Sequence, residues 1–274
     1  MFSFPEKHCE HCLKREHKNK DTGKVERTEY YHNVLEAKLI LGEMVFSIAT
    51  EFVENEDENV PKQDCEIKAF KRLEVKLKKQ YPHLPICILC DSLYACEPVF
   101  EICDKNNRKF LLRFKEGRIK SIAEEFNALK LIDGERNEKC VWVRDIAYNQ
   151  RTVNLIETEI VVDENKTSFV FITNIPITIK NADYLVYAGR SRWKIENQGF
   201  NNHKTKTYKI EHVNSLNYNA MKNHYLITQI ADILRQLFEK GAERLKFLKK
   251  SIKEISSNLL ESFRTRIITY RISK

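Results

Sequence analysis

The chain has 274 residues, of which 42% are hydrophobic and 31% charged, and its net charge is +8. These values are ordinary for a globular protein that buries a full core. No apolar run reaches the roughly 18 residues of a membrane-spanning helix, and the first residues lack the basic start and apolar middle of a signal peptide. We therefore predict a cytoplasmic protein with no membrane partner.

Residues 1–28 are polar and contain the segment HCEHC, in which Cys9 and Cys12 have a CxxC spacing. With the neighbouring histidines this spacing suits a zinc site, but a structural site needs four ligands and no second CxxC follows at finger spacing. A solvated, redox-sensitive loop is the alternative. The other six cysteines are scattered, which is typical of reduced thiols rather than of a disulfide framework.

Two strands are predicted from the β-branched and aromatic runs Tyr30–Leu41 and Met44–Val53, with a tight turn between them. Pro61 then introduces a predicted helix over residues 62–80, whose apolar residues repeat at helical spacing. The sequence thus begins with a β-hairpin followed by a helix.

The apolar run Leu84–Cys90 predicts a central parallel strand that is covered on both faces, and Asp91 follows it directly. An acid at the carboxyl end of such a strand is where α/β sheets place function. The same residue could equally cap the helix that follows. Residues 109–114 predict a further strand, and a basic helix follows around 118–131.

Three segments between residues 135 and 176 alternate like antiparallel strands, and helix returns after them. The run GRSRWKIENQGFNNHK, residues 189–204, contains no proline and places Arg192 and Glu196 one turn apart on one face. Trp193 and Phe200 form a neighbouring stripe that is predicted to pack inward. Spacing alone also fits a plain helical ion pair worth about 0.3–0.5 kcal/mol.

This run resembles the helix that carries the third acid in bacterial insertion-sequence transposases of the DDE type. In that helix an arginine precedes the catalytic glutamate by four residues and a lysine follows about two turns later, the places held here by Arg192, Glu196 and Lys204. The segments KQDCEIKAFKR, DSLYA and SFVFITN occur in the family's order, so the resemblance extends from Phe2 to about Gly241. Many relatives have a tyrosine three residues before the arginine, where this chain has Gly189.

The resemblance implies an α/β fold of the ribonuclease-H-like type, a mixed sheet with flanking helices. The family's second and third acids correspond to Asp91 and Glu196, which would hold two Mg²⁺ ions roughly 3.5–4 Å apart. Arg192 and Lys204 would hold DNA phosphates. Asp64 and Glu66 would lie behind the metal ligands, although acids at a helix start also complement its dipole.

The activity implied is hydrolysis of DNA at the element's ends, followed by attack of the freed 3′-hydroxyl on target DNA by a homodimer. The family's first Asp precedes a segment like FSFPEKHCEHC, but no Asp occurs here before Asp21. We therefore expect the chain to begin just after the first acid and to be inactive as it stands. A non-catalytic DNA-binding remnant and a zinc-containing interaction protein are the alternatives.

The expected organisation follows from the resemblance and the predicted elements together. It comprises a polar segment (1–28), the first part of the ribonuclease-H-like core (29–134), a β-rich insertion (135–176), the core helix with the third acid (177–212) and C-terminal helices (213–274).

The net charge and the basic segment Arg244–Lys253 predict binding to DNA. Each phosphate that the protein neutralises releases counterions, so the affinity for duplex DNA should fall steeply as salt concentration rises. Fluorescence anisotropy with a labelled duplex over a series of salt concentrations measures this slope. Binding that does not change with salt, or no binding at low salt, would contradict the prediction.

Overall fold

The computed structural model describes residues 2–4, 6–56, 61–162, 165–196, 208, 210, 215–241, 254, 257, 258, 260–262 and 264. This part of the chain forms two β-sheets with helices packed against them, which confirms the mixed α/β class. The ribonuclease-H-like arrangement stays a prediction. Among these residues no helix has the length and apolar character needed to cross a bilayer.

The first sheet is antiparallel and contains β1 (Phe2–Phe4), β2 (Leu13–Lys18), β3 (Val25–Leu41) and β4 (Met44–Val53). The 17-residue strand β3 is its centre, since it pairs with each of the other three. Tyr31 is aligned with both Ser3 and Leu13, so β1 and β2 lie on opposite edges of β3. The predicted tight turn between β3 and β4 is confirmed, with Gly42 at a φ of +60° that favours glycine.

The prediction of a solvated loop around Cys9 and Cys12 is wrong in part, because Cys12 is buried, Cys9 is half-buried and strands flank the segment, although five of the six residues of β2 are exposed. Phe4, Cys12 and Leu13 are buried, and Leu13 packs against Val53 and Ala69. The local sequence is polar and shows no clear alternation, so it carries little strand signal. Pairing with β3 supplies the backbone hydrogen bonds that turn these residues into strands.

Helix α1 (Glu66–Gln80) buries one apolar face against the first sheet, as its periodicity predicts. It begins four residues later than predicted because the preceding residues are tied to the end of β4. Asp64 accepts a hydrogen bond from the amide of Glu54, and its own amide donates to Oδ1 of Asn55. These bonds hold the side chain and the amide of Asp64 outside the helix.

The second sheet has six strands in the described ranges, in the spatial order β5-β6-β10-β9-β8-β7. They are β5 (Cys87–Cys90), β6 (Lys109–Phe114), β7 (Glu135–Arg136), β8 (Cys140–Tyr148), β9 (Arg151–Val162) and β10 (Asn165–Thr173). Helices α2 (Glu97–Lys105) and α3 (Lys120–Ile132) precede and follow β6. The strands predicted between 135 and 176 are confirmed, and they extend the sheet of β5 and β6 rather than forming a separate one.

The parallel pairing of β5 with β6 agrees with the prediction, but the central, doubly covered position is wrong. In the part of the chain that is described, β5 is the edge strand of its sheet, and Cys87 is exposed. An apolar cavity of about 340 Å³ separates β5 from β3, with Leu35 on one side and Leu89 on the other. The single mixed sheet that the resemblance implies is therefore divided in two here.

Helices α4 (Ala182–Ser191) and α5 (Tyr218–Gln236) complete the described fold. The helix predicted over 177–212 is interrupted by a turn at Arg192 and resumes for residues 193–196. Trp193 is 47% exposed, so the prediction that it packs inward is wrong. Phe200 and Lys204 lie outside the described residues, as does the basic segment of residues 244–253.

Gly189 lets α4 approach β10 closely. A methyl group at this position would lie 2.7 Å from two ring carbons of Phe171, which is buried. We expect Gly189→Ala to lower the free energy of unfolding by about 1–3 kcal/mol, since overpacking shifts the ring or the helix. Urea denaturation measures the change.

Gly117→Ala is the matched control, because no atom lies within 4 Å of the place that its methyl group would take, and we expect a change below about 0.5 kcal/mol. A double-mutant cycle with Phe171→Leu should show coupling between positions 171 and 189. Equal effects of the two glycine substitutions would contradict the close-packing account.

Candidate functional site at the carboxyl end of β5

Asp91 is exposed and follows the last residue of β5 directly. Its Oδ1 accepts a hydrogen bond of 2.9 Å from the amide of Leu93, so it caps the short 3₁₀ turn Ser92–Tyr94. The capping alternative that the sequence left open is therefore real. The cap uses only one of the two carboxylate oxygens. The other oxygen is available to a metal ion, so the role of Asp91 as a metal ligand is compatible with the cap and stays a prediction.

Arg192 and Glu196 lie on one face, as their spacing predicts. Nη1 of Arg192 donates to Oε1 of Glu196 over 2.6 Å, and the glutamate side chain is 57% exposed. A pair this exposed is worth only about 0.3–0.5 kcal/mol. Because it is weak, a metal ion or a phosphate can replace either partner at little cost.

The residues that follow α4 lie near the end of β5. Ile195 lines the same cavity as Leu89 and Cys90. Burial raises the pKa of the Cys90 thiol well above its usual range, the charge of Asp91 raises this pKa further, and the charge of Arg192 opposes both. One thiol thus lies within electrostatic range of both predicted site residues, although they are far apart in sequence.

Glu66 faces this same end of β5. Its Oε1 accepts from Nδ2 of Asn33 at 3.3 Å, and its Oε2 is 3.5 Å from the hydroxyl of Tyr94. Burial raises the pKa of Tyr94, and the negative charges of Cys90, Glu66 and Asp91 raise it further. Glu66 and Asp91 therefore both raise the pKa of the same side chain, that of Tyr94.

Asp64 is occupied elsewhere, which separates it from Glu66. Its Oδ2 accepts from Nη2 of Arg72 at 2.6 Å and from the amide of Glu54 at 3.1 Å. Burial disfavours its ionised form, but these hydrogen bonds outweigh burial and lower the pKa of Asp64. Its contacts tie α1 to β4 rather than supporting Asp91.

Two further arginines near the site escaped the sequence analysis. Arg113 of β6 and Arg190 of α4 lie over the ring of Phe169, at 4.6 and 5.8 Å from its centre. Burial lowers the pKa of Arg113, and the charge of Arg192 lowers it further. In the sequence, the only sign that Arg113 has a special role was its position as a single charge in the apolar strand KFLLRF. Its place beside α4 follows from the sheet register, which aligns it with Phe171.

Glycine at position 189, where many of the transposases have a tyrosine, has a physical reason here. Because the ring of Phe171 fills the space where a side chain would start, no tyrosine fits at this position. Lys204, the predicted phosphate ligand beyond it, lies outside the described residues.

The two roles of Asp91 can be separated by mutation. Asparagine caps as well as aspartate does, so Asp91→Asn should leave the free energy of unfolding within about 0.5 kcal/mol of the parent. Asp91→Ala removes the acceptor for the Leu93 amide and should cost about 0.5–2 kcal/mol. Thermal and urea denaturation compare the variants, and a large loss in Asp91→Asn would show that the charge itself is structural.

No protein family matches this chain, and no relative is found among curated proteins. A function is therefore inferred from the chemistry of its own residues. The relevant groups are the exposed carboxylates of Asp91 and Glu196, the carboxylate of Glu66 near Tyr94, and the nearby guanidinium groups.

Proposed function

We propose that this chain is the core of a DNA transposase of the DDE type, with its metal-binding and phosphate-binding groups at the carboxyl end of β5. The observation that supports this most is that the charge of Arg192, one turn before Glu196, acts on Cys90, the residue that precedes Asp91. Metal-dependent phosphodiester cleavage uses carboxylates that hold metal ions and cations that hold the phosphate, and Asp91, Glu196 and Arg192 are residues of these types. The resemblance of residues 189–204 gives this chemistry a substrate, DNA.

The donor set fits Mg²⁺. Asp91 and Glu196 offer carboxylate oxygens on an exposed surface, and neither is locked in a buried ion pair. Mg²⁺ prefers oxygen ligands, keeps several of its waters and is usually held by one or two carboxylates together with substrate phosphates. When two such ions are bound, they activate the attacking group and stabilise the leaving oxygen of the phosphodiester.

The arginine has a separate role in this proposal. When Glu196 turns to a metal ion, Arg192 loses its partner, and its guanidinium can hold a phosphate through two parallel hydrogen bonds. Arg113 and Arg190 add positive charge nearby, although Arg113 already donates to the carbonyl groups of Val170 and Ser168. We also propose that Lys204 contacts a phosphate, as the resemblance implies.

DNA is the proposed partner, at the ends of an element and at its target, and a homodimer would act on paired ends. We expect this chain by itself to bind DNA and metal ions without cleaving, because the family chemistry uses three acids and Asp91 and Glu196 supply two. Glu66 is the acid on the same side that could supply a third. The competing proposal is a DNA-binding remnant, in which Asp91 only caps and Glu196 only pairs.

Metal binding separates these two proposals. We expect Asp91→Asn and Glu196→Gln each to weaken Mn²⁺ binding tenfold or more, as measured by electron paramagnetic resonance of the free ion. Both substitutions remove a negative oxygen ligand while keeping size and shape. Asp21→Asn and Glu125→Gln are matched controls on exposed positions away from the site, and they should bind Mn²⁺ like the parent.

Affinity for duplex DNA should change less than threefold in all four variants. Unchanged Mn²⁺ affinity in Asp91→Asn and Glu196→Gln would remove the catalytic proposal and leave the DNA-binding remnant. Incubation with supercoiled DNA and Mn²⁺ tests the expected inactivity. Nicking that both substitutions abolish would show that the chain is active as it stands, and Glu66→Gln would then test the third ligand.

A further inference from the structure

Three ligand atoms of the kinds that bind zinc meet in the turn between β1 and β2. Sγ of Cys9 lies 3.6 Å from Sγ of Cys12, and Nε2 of His32 lies 3.4 Å from the first sulfur and 3.5 Å from the second. The sulfur–sulfur distance is far longer than the roughly 2.05 Å of a disulfide bond. The two cysteines are therefore adjacent free thiols that face one imidazole nitrogen.

The dimensions of this triangle match three corners of a zinc tetrahedron. With Zn–S of about 2.3 Å and Zn–N of about 2.0–2.1 Å, a tetrahedral ion places its sulfurs roughly 3.8 Å apart and a sulfur and a nitrogen roughly 3.6 Å apart. All three observed distances lie within about 0.2 Å of these values. One ion can therefore reach the three atoms with little movement of the backbone.

The backbone turns tightly at Cys9. The chain turns back on itself here, with the amide of Cys12 donating to the carbonyl oxygen of Cys9 at 3.3 Å. The backbone amides of His11 and Cys12 also donate to the sulfur of Cys9. Burial and the neighbouring thiol of Cys12 outweigh these amides and raise the pKa of Cys9 to about 11, so a bound metal ion would have to displace the thiol proton.

Burial keeps the site away from bulk water. Cys12 and His32 are each 4% exposed, and Phe4 packs its ring edge against His32. The ring of Tyr218, from α5, stacks on His32 at 4.6 Å and on His11 at 4.8 Å. Burial lowers the pKa of His32 to about 4, so its imidazole is neutral at physiological pH, as a metal ligand must be.

We propose that Cys9, Cys12 and His32 bind one structural Zn²⁺ ion, with His8 as the fourth ligand. Zinc is the ion that a set of two thiolates and imidazoles selects. His8 is exposed, its ring lies 4.4 Å from that of Phe4, which packs on His32, and its side chain would have to turn towards the ion to bind it. His11 is the other nearby histidine; its Nδ1 bonds the carbonyl oxygen of Asn55 at 2.8 Å, and its remaining nitrogen, Nε2, lies 3.5 Å from Oε1 of Glu10.

Such an ion would connect three parts of the fold. It would join the β1–β2 turn to β3 through His32, and to α5 through the stacked ring of Tyr218. The next residue of β3, Asn33, donates to Glu66 beside the candidate site. Zinc would therefore stabilise β3, whose Asn33 holds Glu66 by a hydrogen bond, without taking part in any reaction at the candidate site.

The test is zinc content and affinity of the purified full chain. We expect one zinc per chain by elemental analysis, and after removal and replacement by Co²⁺ an absorption spectrum with the thiolate charge-transfer band and the strong visible bands of a tetrahedral site. Cys9→Ser, Cys12→Ser and His32→Gln should each lower zinc affinity at least a hundredfold. Cys65→Ser and His17→Ala, at exposed positions outside the cluster, should keep the parent affinity.

The spectrum of the parent protein does not depend on whether the variants fold. A stoichiometry below about 0.2 zinc per chain after refolding with zinc, or a Co²⁺ spectrum without thiolate bands, would overturn the proposal. His8→Ala should lower the affinity about tenfold or more, and His11→Ala should not. Parent-like affinity in His8→Ala would overturn the assignment of the fourth ligand.

Discussion

The close packing of α4 on the six-stranded sheet is the contact on which the candidate site depends. At Gly189 the helix backbone rests on the ring of Phe171, and Ala182 and Leu185 of the same helix are buried with Trp142 in one apolar cluster. This cluster fixes the distance of α4 from the sheet and its rotation about the helix axis. Arg192, which follows its last turn, is consequently held near Cys90 at the end of β5, and Glu196 forms an exposed ion pair with it.

A second constraint concerns the position of β5, the strand that ends just before Asp91. β5 pairs with β6 alone in the described part of the chain, so its position depends on what fastens α1 and the start of β6 around it. Arg108, just before β6, donates to Glu74 of α1 at 2.6 Å and to the carbonyl oxygen of Leu84, and both charged side chains are almost wholly buried. A buried pair of this kind adds little net stability, but breaking it leaves an unpaired charge inside the protein. It therefore defines the register of α1 and β6 more than it strengthens them.

Strand β3 connects two kinds of chemistry. Successive residues of a strand point to opposite faces, so adjacent positions can serve different neighbours. His32 faces the thiols of Cys9 and Cys12, and Asn33 faces the carboxylate of Glu66. The first cluster offers soft sulfur and nitrogen ligands that suit zinc, and Glu66 lies beside the site proposed for magnesium. One strand thus supports both a proposed structural metal and a proposed catalytic one.

Regular local patterns were enough to predict most of the elements. The β3–β4 turn, the apolar face of α1 and the alternating strands after residue 134 follow from side-chain periodicity and from turn residues, both of which act over a few positions. The exposed pair of Arg192 and Glu196 was also predictable, since it needs only the pitch of a helix. The strands at Phe2–Phe4 and Leu13–Lys18 were not, because their polar residues become strands only by pairing with β3.

The sequence by itself therefore determined which residues can carry chemistry, since Asp91, Glu196, Arg192 and the CxxC pair are recognisable by type and spacing. Only the tertiary structure decided which of them meet. It directed Glu66 towards Tyr94 and Asp64 towards Arg72, two residues apart in the chain, because one lies inside the first turn of α1 and the other before it. It also brought His32 to the CxxC pair across the β2–β3 hairpin. Contacts between distant positions depend on sheet register and helix packing, and no local pattern of residues encodes these.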